Sequence, residues 1–308
     1  DFNNYIGACA GMFSTTGESN NFFGRAAGYN NDTGSYNNYL GYRAGYCNDT
    51  GSYNNFLGCY AGHNNTTGCY NNFFGICAGK SNTSGDVNEF IGGLAGFCNT
   101  SGCYNIFLGL RAGYCNTDTN HAIGIGQSAG YHNDAADNVY IGRNAGFTDK
   151  VRSSDDLITG SYNFVSGVGA GSSLTTGCYN NFIGFEAGHC TTSGVVNNIL
   201  GKCAGYSNTT GSHNNMLGDC AGYSNTTGCY NNFFGSLAGN RNTSGCYNNF
   251  IGYSAGYTNS TGCHNNFLGF DAGNRNTSGS HNFFVGSDAG SFNTEGSNNN
   301  FFGECAGY

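Results

Sequence analysis

The string Gly-x-x-Ala-Gly recurs along the whole chain, with its first glycines at Gly7, Gly24, Gly41, Gly58, Gly75, Gly92, Gly109, Gly126, Gly142, Gly167, Gly184, Gly201, Gly218, Gly235, Gly252, Gly269, Gly286 and Gly303. Neighbouring copies are 17 residues apart, except for a step of 16 into Gly142 and a step of 25 into Gly167. A fixed short period is the mark of a repeat architecture, in which each unit buries its apolar face only against the next. Seventeen residues are too few for a helix pair. Glycines interleaved with aromatic and β-branched residues instead specify short strands joined by tight turns.

A typical unit reads Gly-Cys-Tyr-Asn-Asn-Phe-Phe-Gly-x-x-Ala-Gly-Tyr-x-Asn-Thr-Thr. Asn-Asn-Phe-Phe is predicted to be one strand and the stretch around Ala-Gly-Tyr a second. Asn-Thr-Thr-Gly is predicted to be a turn whose glycine takes φ > 0. The fold expected is therefore all-β, a β-solenoid or β-roll of about 18 coils. Its organisation is a nine-coil block over 1–146, a charged insertion loop over 147–166 and a second nine-coil block over 167–308. The chain stops one turn short of 18 full coils and begins without Met, which reads as a piece of a longer array or a processed chain. Neighbouring strand residues point to opposite faces. Pairs such as Phe22 and Phe23, Phe56 and Leu57, Phe90 and Ile91, or Phe250 and Ile251 thus place a large apolar group on both faces. A thin coil buries one face, so the other is expected to be covered by further copies, in a lateral trimer or a head-to-tail filament. A coil wide enough to bury both columns is the alternative.

Composition narrows the function classes. Glycine makes up 54 of the 308 residues, Pro and Trp are absent, and 9% are charged. Collagen and coiled coils are excluded by the lack of their periodicities, and disorder by 38% hydrophobic and 15% aromatic content. A net charge of −8 is the wrong sign for binding a phosphate backbone, so no nucleic-acid partner is expected. No apolar run reaches the roughly 18 residues of a membrane-spanning helix, and no membrane insertion is expected.

Runs such as NNFLGCYAGHNNTTG (54–68) and NNFFGSLAGNRNTSG (231–245) resemble the repetitive β-roll heads of trimeric autotransporter adhesins. They also resemble the repeats of phage and giant-virus tail-fibre-like proteins and of large bacterial surface proteins. The resemblance covers nearly all of the chain outside 147–166. It implies a fibrous, often trimeric β-solenoid at an extracellular, cell or virion surface, and no single activity.

Several motifs imitate catalytic sites. Gly126-Gln-Ser128-Ala-Gly130 and Gly252-Tyr-Ser254-Ala-Gly256 match a nucleophile elbow, Gly124-x-Gly126 a dinucleotide fingerprint, and Gly75 to Ser81 a shortened P-loop. All are products of the repeat, since the serine position holds Arg43, Tyr60 or Cys77 elsewhere. No enzyme activity, cofactor or metal is expected. Asp149, Asp155 and Asp156 in the insertion fit no EF-hand spacing. His264 and His281 share a column with tyrosines and read as part of an aromatic surface row.

The 16 cysteines avoid Cys-x-x-Cys spacing and fall into columns. Cys98 with Cys115, Cys203 with Cys220, and Cys229 with Cys246 or Cys263 lie on successive coils, within disulfide range at about 4.8 Å per coil. Cys9 and Cys305 share a column at opposite ends and are candidates to crosslink subunits. The competing reading is that Cys is a small filler. The turn asparagines are expected to stack their amides along the coil axis. Ten of them, Asn31, Asn48, Asn65, Asn82, Asn99, Asn208, Asn225, Asn242, Asn259 and Asn276, head Asn-x-Ser/Thr sequons and are glycosylation candidates. The function expected is an extracellular structural fibre, filament or adhesin-shaft segment that associates with itself. The alternative is a surface module recognising glycans or a host receptor through its aromatic and Asn columns or the 147–166 loop.

Overall fold

In a computed structural model the chain is a parallel β-solenoid with 17-residue coils and, among the described residues, no helix. The structure describes residues 2–148 and 158–308, and these form two compact units, one of 2–147 with 158 and the other of 148 with 159–308. In the first unit, nine three-residue strands, β1 (Asn4–Ile6) to β9 (Val139–Ile141), pair in parallel, each with the next. The second repeats the arrangement from β10 (Phe164–Ser166) to β18 (Asn300–Phe302). The register follows the repeat: Phe22 faces Tyr39, which faces Phe56. Residues 158–166, at the end of the expected insertion, include β10, whereas Asp149, Asp155 and Asp156 lie outside the described residues.

Backbone groups outside the strands also bond from coil to coil. Asn38 N donates to Asn54 O of the following coil at 2.8 Å, and Gly41 N to Phe23 O of the preceding coil at 2.8 Å. Gly45 N reaches Ala61 O at 3.0 Å and Tyr53 N reaches Ser35 O at 3.0 Å. Proline lacks the donor this pattern requires, which accounts for its absence.

Two local expectations are corrected. The Ala-Gly-Tyr stretch is a run of turns, not a second strand. Ala26 and Gly28 both adopt left-handed φ, 56° and 57°, and bend the chain too sharply for an extended segment. The turn glycine, as at Gly51, does not take positive φ; it is needed for close approach. A Cβ there would lie 2.4 Å from Gly68 O and 2.4 Å from Asn48 Oδ1.

The core is a column of stacked rings. Tyr5, Phe22, Tyr39, Phe56, Phe73, Phe90 and Phe107 follow one another with centroids 4.8–5.1 Å apart. Each parallel offset pair adds about 0.5–1.5 kcal/mol beyond area burial. The alanine of Gly-x-x-Ala-Gly, such as Ala44 and Ala61, is fully buried among these rings in all but the first and last copies, where Ala10 and Ala306 are partly buried. The second glycine passes over a ring: a Cβ on Gly62 would sit 2.4 Å from the Phe56 ring. At Gly124 the column loses its side chain, and Tyr140 of the next coil reaches across the gap. A Cβ on Gly130, in the coil of Gly124, would meet the Tyr140 ring at 2.7 Å, and Tyr140 Oη donates to Asn133 Oδ1 at 3.2 Å.

The adjacent strand position points outward, as at Phe23, Leu40, Leu57 and Ile91, each 37–42% exposed. Phe56→Ala is therefore expected to cost about 3–5 kcal/mol, and Leu57→Ala less than about 1 kcal/mol, at concentrations where the chain is monomeric. Urea unfolding of the two variants checks the contrast; equal losses would mean that the two faces are not distinguished in this way.

Candidate functional site

The side chains that form organised arrays belong to three asparagine columns, two inside the coil and one at its surface. In the turn column, each Nδ2 donates one proton to the glycine carbonyl closing its own turn, as Asn48 to Gly51 O at 2.9 Å and Asn65 to Gly68 O at 2.9 Å. The other proton goes to Oδ1 of the preceding coil's asparagine. This ladder runs from Asn31 to Asn99 in the first unit at 2.7–2.8 Å, and from Asn208 to Asn293 in the second at 2.7–2.9 Å. It ends at Asn116, whose amide turns to Thr119 Oγ1, and begins anew only after Leu174 and Thr191 have occupied the position.

The second interior column is the first Asn of each Asn-Asn pair. Asn37 Oδ1 accepts the backbone N–H of Asn54 at 2.9 Å, and its Nδ2 donates to Gly51 O at 2.8 Å. Gly51 O thus takes one bond from Asn37 and one from Asn48, filling both lone pairs. The third column, Asn21, Asn38, Asn55 and Asn72, forms a half-buried ladder with spacings of 2.7–2.8 Å.

This placement weighs against the glycosylation reading. All ten sequon asparagines are fully buried. A glycan on Nδ2 would replace one of the two protons that hold the ladder and would have to leave the interior. The sequons result from a turn that needs Asn to bond inward and Thr or Ser beside it. The hydroxyl at that neighbouring position also acts between coils, as Thr66 Oγ1 donates to Thr83 O at 3.0 Å.

The aromatic columns do lie at the surface, but their faces are covered. Tyr36, Tyr53 and Tyr70 stack with centroids at 4.8 Å and planes within 5°. His213, Tyr230, Tyr247, His264 and His281 continue in the same manner in the second unit at 4.7–5.0 Å. Sugar rings stack on exposed aromatic faces, and here each face is occupied by the next ring, leaving edges and hydroxyls. Two of the three Asn columns are internal, so of the three only the Asn21–Asn72 column faces solvent beside these rings.

Ser128 and Ser254 take the left-handed corner position also held by Arg43, Tyr60 and Cys77, and both are buried. Among the described residues, no group of three or more His, Cys, Asp or Glu side chains is arranged to hold a metal ion. No helix there is long and apolar enough to cross a membrane. Near Tyr308, Asp271, Asn274, Arg275, Asp288, Ser291 and Phe292 surround a pocket of about 170 Å³. Burial raises the Asp271 carboxyl above its usual range against the opposing hydrogen bond from Asn274, and the Arg275 guanidinium lies 4.1 Å from the Phe292 ring centroid.

None of the cysteines forms a disulfide in this structure, and their thiols fall into distinct environments. Cys229, Cys246 and Cys263 act as serine does elsewhere. Cys229 N donates to Cys246 Sγ at 3.1 Å and Cys246 N to Cys263 Sγ at 3.2 Å, matching Ser35 N to Ser52 Oγ at 3.0 Å. Their own protons go to carbonyls two residues back at 3.3–3.4 Å. Cys203 and Cys220 donate to Glu186 and Asp219, and burial followed by these carboxylates pushes the thiols up, Cys220 to about 11. Cys9 and Cys305 are exposed, each in its own unit. No family model, curated protein or solved structure matches the chain.

Asn82→Ala leaves an acceptor of Asn65, a donor of Asn99 and a lone pair of Gly85 O unpaired, and is expected to cost about 2–4 kcal/mol. Asn55→Ala, in the half-buried ladder, is expected to cost less than about 1 kcal/mol; chemical denaturation of the two variants tests the ranking. For the chain secreted from a glycosylating host, mass mapping of the folded fraction is expected to find the ten sequon asparagines unmodified.

Proposed function

We propose that this chain is a structural segment of an extracellular fibre or adhesin shaft, with no catalytic role, that associates with copies of itself. The observation that carries the reading is the continuity of the interior ladders. Over Asn31–Asn99 and Asn208–Asn293 the same amide contacts repeat from coil to coil, and over Phe22–Phe107 and Phe233–Phe301 the same ring contacts, so stiffness and length scale with repeat number. The interior side chains are committed to holding neighbouring coils, which suits a mechanical element.

Lateral association is supported by the outward strand column. In the first unit, Phe23, Leu40, Leu57 and Ile91 form a row in which the outward apolar side chain recurs at every paired strand. A contiguous apolar row of this kind marks an interaction surface, and a closed symmetric assembly covers it on every copy. The likeness of the Asn-Asn-Phe-Phe-Gly and Asn-Thr-Thr-Gly punctuation to adhesin heads and tail-fibre repeats supports the same reading and the placement at a cell or virion surface.

Sedimentation velocity over a range of concentrations, with negative-stain imaging, tests it. The expected result is a trimer or a filament for the unaltered chain and a shift to monomer for Leu57→Asp combined with Ile91→Asp, with far-ultraviolet circular dichroism unchanged. Monomers at every concentration for the unaltered chain would overturn self-association.

A further inference from the structure

Cys98 and Cys115 occupy equivalent positions on successive coils of the first unit. Their register is set by backbone bonds on both sides, Cys98 N to Tyr114 O at 3.0 Å and Cys115 N to Tyr131 O at 2.8 Å. The rings immediately before them, Phe97 and Tyr114, stack with centroids 5.1 Å apart and planes within 2°, which gives the local coil spacing. That spacing falls inside the Cα separation of about 4.4–6.8 Å that a disulfide spans. Both residues lie in the turn run and not in a strand.

The two thiols are half-buried and lie close enough for each to perturb the other's titration. Other stacked cysteines are also held by other groups: Cys229, Cys246 and Cys263 bond the backbone, and Cys203 and Cys220 bond carboxylates. We propose that Cys98 and Cys115 are a redox-active pair that closes into a disulfide between neighbouring coils, and that the other stacked cysteines of the described chain stay reduced under the same conditions.

The electrostatics favour the same choice. The neighbouring Cys115 thiol draws Cys98 down to about 7 against the opposing effect of burial, and Cys98 in turn holds Cys115 above the usual thiol range. One thiol is thereby readied as the attacking thiolate near neutral pH, while burial and carboxylate neighbours keep Cys203 and Cys220 protonated.

With glutathione disulfide as oxidant, the Cys98 thiolate attacks one sulfur, the glutathione S–S bond breaks, and one glutathione leaves as a thiolate that takes up the proton released from Cys98. Cys115 then loses its proton and attacks Cys98 Sγ, forming the Cys98–Cys115 bond and releasing the second glutathione. Two protein thiols become one disulfide, and one glutathione disulfide becomes two thiols.

The full chain, equilibrated in glutathione redox buffers at pH 7.5, acid-quenched, alkylated and digested with trypsin, tests the proposal. Cleavage after Lys80, Arg111 and Arg143 places Cys98 with Cys103 on peptide 81–111 and Cys115 alone on 112–143. The expected result is a linked 81–111/112–143 pair, absent in Cys98→Ser, present in Cys103→Ser, with Cys229, Cys246 and Cys263 alkylated throughout. A wild-type chain in which Cys98 and Cys115 remain as alkylated as Cys229 across the whole redox range overturns the proposal, as does a link that survives Cys98→Ser. The wild-type comparison needs no variant to fold.

Discussion

A primary amide has two protons to donate and two lone pairs to accept with, and burying it costs several kcal/mol when they go unmet. In this solenoid the interior asparagines meet most of that demand within their own coil and the two beside it. Asn65 gives one proton to its own turn and one to Asn48, and accepts from Asn82. The arrangement works only if the next coil presents the same residue at the same height. The 17-residue period is therefore a physical requirement of the interior, and the ring column beside it has the same requirement.

Glycine follows from this constraint. Coils held at about 4.8–5.1 Å by stacked rings bring backbone against backbone at the corners. At Gly24 a Cβ would lie 2.5 Å from Gly41 O, in a backbone conformation of φ +139° that side-chain-bearing residues rarely adopt. The ladders also define where the stack is weakest. Asn99 Oδ1 is buried without a partner where Asn116 turns away, and the ring column is bridged rather than continued at Gly124. Both lie in the later coils of the first unit, where the repeat itself becomes irregular.

Much of the fold was legible because a repeat in the sequence is a column in space. The coil length, the strand at Asn-Asn-Phe-Phe and the placing of Phe56 and Leu57 on opposite faces follow from period and alternation, though which of the two lies inside does not. Nor does the direction in which a polar column points. Asparagine is usually a surface residue, so Asn48 read as a glycan acceptor as well as a stacking amide, and Asn37 and Asn54 as ordinary strand positions, whereas all three are interior bonding groups. A signal was present: the first Asn of the pair hardly varies between units, while its tyrosine neighbour is exchanged for Val, His or Ser. The left-handed corners at Tyr60 and Arg43 carried no such signal, since any residue type occupies them.

The cysteines show the same division. Their columns were visible in sequence, and their chemistry depends on what each sulfur touches, a backbone N–H at Cys246, a carboxylate at Cys220, another thiol at Cys98. The central physical claim is that the interior asparagine amides hold neighbouring coils together. Side-chain amide hydrogen exchange, followed by NMR on the chain labelled with 15N-asparagine, addresses it directly. Nδ2 protons of Asn48, Asn65 and Asn82 should be protected to the level of core backbone amides, with Asn38 and Asn55 exchanging far faster. Exchange of the interior Nδ2 protons at the rate of free asparagine would show that the ladders do not hold the coils.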